Sequence, residues 1–112
     1  MSDHETVWGV PELDNINWIA KGLTEVQTAA HGGLILSDER FAEMPWPFRE
    51  FPALNGPRFW EQNNDACVVV AAFPDLFPQD RVQRACDLIR HYATDDEDYL
   101  PLLDHLPAGE PA

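Results

Sequence analysis

Leu23-Thr24-Glu25-Val26-Gln27-Thr28-Ala29-Ala30-His31-Gly32-Gly33-Leu34-Ile35-Leu36 is the stretch whose reading decides the fold class. Residues 23–28 alternate apolar and polar side chains and include β-branched members, which is the period of a half-buried strand. Leu34-Ile35-Leu36 reads as a second strand, and Gly32-Gly33 as the punctuation before it. The two runs form a hairpin with its loop centred on residues 30–33. Upstream, Val7-Trp8-Gly9-Val10 begins an edge strand that Pro11 stops. The expectation is a small antiparallel sheet or hairpin over about residues 7–36.

Helices follow. Ser37 precedes Asp38 and Glu39, a capping hydroxyl and then two carboxylates that suit the positive end of a helix dipole. The helix over residues 38–44 is short because Pro45 and Pro47 end it. Residues 45–57 hold four prolines and one glycine, a rigid loop whose Trp46, Phe48, Phe51 and Leu54 either pin it to the core or form an exposed apolar patch. Residues 66–73 are all apolar, and periodicity leaves strand and helix open. Three valines favour strand, whereas Asp65 as a cap, the alanines and the Pro74 stop favour helix. Over residues 79–93, Val82, Ala85, Cys86, Ile89, Tyr92 and Ala93 recur at helical spacing on one face. Asp80 with Arg84 and Asp87 with His91 make favourable i,i+4 pairs on the other.

The fold class is therefore α+β, a small sheet packed against two or three helices. Residues 1–6 are expected to be disordered and residues 7–94 to form a single domain. Residues 95–112 read as an acidic, proline-containing tail, with six acids and no lysine or arginine, which Tyr99, Leu100, Leu102 and Leu103 dock if anything does.

Charge narrows the function classes. Twenty Asp and Glu against seven Lys and Arg give a net charge of −13, beyond the magnitude of about 2–8 that keeps a small domain soluble. Such a field repels nucleic acid and anionic membrane surfaces, and it attracts basic protein surfaces. No apolar run reaches the roughly 18–20 residues of a membrane span, and the N-terminus lacks the pattern of a secretory signal, so the expected location is cytoplasmic. Cys67 and Cys86 belong to no Cys-x-x-Cys pair and read as two reduced, buried thiols. The four histidines show no metal-ligand spacing, and no phosphate-cradling glycine motif occurs, so neither a metal nor another cofactor is expected.

Trp8-Gly9, then His31-Gly32-Gly33 running through Leu36-Ser37-Asp38-Glu39-Arg40, then Phe59-Trp60-Glu61-Gln62-Asn63-Asn64-Asp65 leading to Phe73-Pro74-Asp75-Leu76-Phe77, resemble a domain-of-unknown-function family of short proteins on bacterial plasmids and phages. The likeness spans about residues 7–92, and Gln62, Asn63 and Asn64 stand where the family is more acidic. The resemblance implies an α+β fold, a helix over residues 66–73 and a mobile-element setting, with no known activity.

Two constellations are candidates for function. Asp95, Asp96, Glu97 and Asp98, with Asp87 and Asp104 nearby in sequence, supply the charge to occupy a basic groove; in an α-helix the run approaches the phosphate density of a duplex. Trp46 and Phe48 supply the apolar anchors from which interfaces draw most of their energy. The expected partner is a basic protein surface, that of a nucleic-acid-processing defence complex in the analogy with anti-CRISPR and anti-restriction proteins, with no direct contact to nucleic acid or membrane. The other candidate is the turn His31, Gly32 and Gly33 with Glu61, where a histidine beside free backbone N–H groups would serve a small hydrolase-like enzyme together with Ser37 or Glu61. Against it stands a tight turn with no Gly-x-Ser-x-Gly elbow and a Ser37 already engaged as a cap. A homo-oligomer sealed by the loop aromatics is the third class.

Overall fold

A computed structural model of the chain describes residues 16–28, 32–53, 55–62 and 65–107. The chain divides into two units, residues 1–43 with 53–66 and residues 44–52 with 67–112.

The first unit holds a four-stranded antiparallel sheet in the order β1 (Ile16–Ala20), β2 (Leu23–Gln27), β3 (Gly32–Leu36) and β4 (Phe59–Glu61). Paired residues share a face, so Leu23↔Leu36 and Leu34↔Trp60 set four large side chains on one side of the sheet. All four are fully buried. Burying each leucine is worth roughly 1.5–3 kcal/mol relative to exposure, and this face fixes the register, since a one-residue slip would turn the set outward. The Trp60 indole satisfies its one donor by giving a 2.8 Å hydrogen bond to the Pro57 carbonyl.

One sequence expectation changes here, the place of Gly32-Gly33. The described edge strand is β1, Ile16-Asn17-Trp18-Ile19-Ala20; the strand expected at residues 7–10 lies outside the described residues. β1 and β2 are joined by Lys21-Gly22, with Gly22 at φ +76°, where a side chain would be strained. Gly32 and Gly33 are not loop residues: they open β3, opposite Gln27 and Val26, and both are buried. A Cβ on Gly32 would lie 2.5 Å from the Val26 carbonyl oxygen, so glycine is needed for close strand approach and not for a turn.

Helix α1 (Asp38–Ala42) starts as expected, with Ser37 Oγ accepting from the Arg40 N–H at 3.1 Å. It stops two residues short of the expected end, at the Glu43 cap. Arg40 returns to the β1–β2 turn, where Nε and Nη2 donate to the Lys21 carbonyl at 3.0 and 2.6 Å while Nη1 pairs with Glu43. That fork ties α1 to the hairpin. Asp65, expected as a helix cap, is buried and accepts the Glu61 N–H at 2.8 Å.

In the second unit, α2 (Ala66–Ala72, its first residue counted with the sheet) is helical and buried along its whole length, and α3 (Gln79–Tyr92) buries Val82, Ala85, Cys86 and Ile89. Pro78 precedes α3, consistent with a fixed φ at a helix entrance. Arg84 and Asp80 pair at 4.0 Å as expected, whereas Asp87 pairs with Arg90 at 3.0 Å and not with His91. Cys67 and Cys86 are buried thiols, not joined in a disulfide. Residues 97–105, assigned from sequence to a tail, form a 3-10 helix, Glu97–His105. The architecture is α+β.

Candidate functional site

The acidic 3-10 helix is held at both ends of its logic, by hydrogen bonds behind it and aromatic packing beneath it. The N–H groups of Asp95 and Asp96 both donate to the Tyr92 carbonyl, at 3.1 and 2.9 Å, so the chain leaves α3 in a closed turn. The Asp96 carboxylate then caps the new helix by accepting from the Asp98 N–H at 2.9 Å. Glu97 and Asp98 sit in its first turn, where negative charge is favoured. Beneath, the Tyr99 ring packs between Phe51 and Tyr92, at centroid distances of 4.6 and 5.2 Å.

A 3-10 helix has three residues per turn, so side chains at i and i+3 eclipse and nine residues form three ridges. Tyr99, Leu102 and His105 make the docked ridge, with Tyr99 and Leu102 buried. His105 ends it at the surface, with Trp46 edge-on at 5.0 Å. Glu97, Leu100 and Leu103 make a second ridge, on which the leucines are 50% and 37% exposed. Asp98, Pro101 and Asp104 make the third, exposed along its length. Trp46, 62% exposed, extends the apolar surface at the His105 end.

Residues 95–107 carry five carboxylates and no lysine or arginine. Among the described residues, Asp95, Asp96, Glu97, Asp98 and Asp104 form no ion pair. Asp87 differs: Arg90 and Gln83 both hold its Oδ1, at 3.0 and 3.1 Å. At a rise of about 2.0 Å per residue the helix is roughly 16 Å long, so Glu97, Asp98 and Asp104 average about one charge per 5–6 Å. Duplex DNA carries about one per 1.7 Å. The α-helical density considered from sequence is not reached, and the surface is as much apolar as acidic.

Phe48, paired with Trp46 as an anchor from sequence, is 3% exposed and belongs to the interior. Of the second constellation, Gly33 pairs with Glu61, and the Gln62 N–H donates to the Gly32 carbonyl at 3.0 Å. Gly32, Gly33 and Glu61 thus come together as neighbouring strands of one ladder, a structural use of those backbones; His31 lies outside the described residues. Among the described residues no three His, Cys, Asp or Glu side chains are grouped to hold a metal, and no helix is long and apolar enough to cross a membrane.

Residues 1–99 match the family model described as "Domain of unknown function (DUF7007)". The chain belongs to this family. No curated protein and no solved structure matches it. The DUF7007 match includes the sheet, α1 to α3 and the 3-10 helix as far as Tyr99. Leu100, Leu103, Asp104 and His105 of this DUF7007 protein lie beyond the matched residues. Sequence reasoning named Leu100 and Leu103 with Tyr99 and Leu102 as one docking group. A helical period of three, visible in Tyr99-x-x-Leu102-x-x-His105, separates the docked pair from the exposed one.

Proposed function

We propose that this DUF7007 protein is a protein-binding inhibitor or adaptor, without catalytic chemistry of its own, that sets an acidic and apolar face against a basic protein groove. The groove of a nucleic-acid-processing defence complex is the intended target, as for anti-CRISPR and anti-restriction antagonists carried by plasmids and phages in the cytoplasm. The observation that carries this reading is the 3-10 helix Glu97–His105: charge that could have stayed in a solvated tail is instead capped, anchored by Tyr99 and Leu102, and left unneutralised. Ordering beforehand lowers the entropic cost of association. Exposed leucines beside the carboxylates supply desolvation energy that charge alone does not, while charge steers encounter and excludes wrong partners.

The test is a host pull-down washed at graded salt, run in parallel with the wild-type protein and with Asp95→Lys/Asp98→Lys. A partner held through this face is lost from the charge-reversed bait and released from the wild type as salt rises, because screening shortens to about 3 Å at 1 M. A partner retained equally by both baits at all salt concentrations contradicts the proposal.

A further inference from the structure

The two outward ridges of the 3-10 helix have a spacing that selects the shape of what they bind. We propose that they seat a basic amphipathic α-helix of the partner protein, an inference that rests on the protein-binding reading above. Leu100 and Leu103 are one turn apart, about 6 Å along the axis, and Asp98 and Asp104 two turns apart, about 12 Å. An α-helix advances about 6 Å in four residues and 12 Å in eight. A partner helix lying along this one therefore meets the leucines with an apolar pair at i,i+4, and the two aspartates with lysines or arginines eight residues apart. Because the ridges are about 120° apart and the third is docked, the leucine row and the aspartate row flank a single outward direction. Trp46, 62% exposed beside His105, adds apolar surface at that end for the partner to cover.

Charge decides between occupants. A second copy of this chain brings another net −13 to the contact, and nucleic acid and anionic lipid bring the same sign. A lysine- or arginine-bearing helix brings the opposite sign to five carboxylates that no lysine or arginine of residues 95–107 answers. Leucines this exposed beside that charge are covered by an apolar stripe with basic flanks, which is an amphipathic helix.

The experiment uses the full chain and two designed peptides of identical lysine and leucine composition, one ordered with an i,i+4 leucine stripe and one scrambled, with affinities from calorimetry. The striped peptide is expected to bind more tightly than the scrambled one. Leu100→Ser/Leu103→Ser weakens the striped peptide roughly ten-fold or more and leaves the scrambled one unchanged. Leu88→Ser, at a leucine that is 40% exposed on α3, changes neither. Equal affinity for the two peptides, no effect of the ridge variant, or an equal effect of Leu88→Ser overturns the helix assignment. Asp98→Lys/Asp104→Lys separates the two levels of the account. If it abolishes binding of both peptides while the leucine variant does nothing, the acidic surface stands and the helix falls. If it leaves both affinities intact, the acidic surface falls as well.

Discussion

Replacing Gly32 by alanine distinguishes a strand position from a turn. A Cβ at that position would stand 2.5 Å from the Val26 carbonyl oxygen and 2.7 Å from Gln27 Oε1. The Gln27 side chain is exposed at its end of β2 and can swing away; the Val26 carbonyl belongs to the ladder and cannot. A comfortable C···O contact is about 3.3 Å or more, so strands β2 and β3 must part locally by nearly an ångström. Overpacking of this kind costs about 1–3 kcal/mol. Removing a glycine from the unfolded chain offsets about 0.4–1 kcal/mol of that. The net loss, on the order of 1–2 kcal/mol, lowers the melting temperature by roughly 5–10 °C for a domain of this size. Calorimetry, with urea unfolding to check that the m-value is unchanged, reads it directly. A Gly32→Ala protein that melts at or above the wild-type temperature would refute the strand placement and restore Gly32-Gly33 to an open turn beside His31.

Ser37→Ala removes the acceptor of the Arg40 N–H at the start of a five-residue helix and is expected to cost about 1 kcal/mol in urea unfolding. Trp60→Ala empties a fully buried site and leaves the Pro57 carbonyl without its indole donor; a loss of about 3–5 kcal/mol is expected, enough to show as partial unfolding at 37 °C by circular dichroism. Burial, outweighing the neighbouring Arg90, raises the Cys86 thiol above 9.0, and burial with Cys67 nearby raises the Tyr92 phenol above 10.0. Both groups hold their protons more tightly folded than unfolded, so their contribution is complete below the unfolded values and is lost as pH rises through the folded ones. Urea midpoints are therefore expected to fall above about pH 9, less steeply in Cys86→Ala.

The parts of the fold written in local pattern were legible. Period two marked β2, the Ser-Asp-Glu start marked α1, and the apolar stripe marked α3, because in each case one face must be buried and the sequence repeats accordingly. β1 was missed because Ile16-Asn17-Trp18-Ile19-Ala20 alternates poorly: Trp18 is 70% exposed and, among the described residues, its strand pairs with β2 alone, so burial left little trace in it. Gly32-Gly33 was misplaced because glycine marks both turns and close strand approach, and only the paired strand separates the two. Of the candidate site, the charge was plain, but its arrangement was not. A nine-residue 3-10 helix containing Pro101 is uncommon, and an acidic, proline-containing run is more often solvated. Part of what orders it is tertiary: Tyr99 packs on Phe51, which is distant in sequence, as well as on nearby Tyr92.

The ordered face is tested most directly by mapping amide shifts of the isotopically labelled protein as oligo-lysine is titrated in. Perturbations should gather on residues 95–105 and the Trp46 indole and leave Asp38, Glu39 and Glu43 of the sheet unit nearly still. Shifts of similar size at every exposed carboxylate of both units would mean that the protein's charge is only a diffuse field, with no surface built to receive a partner.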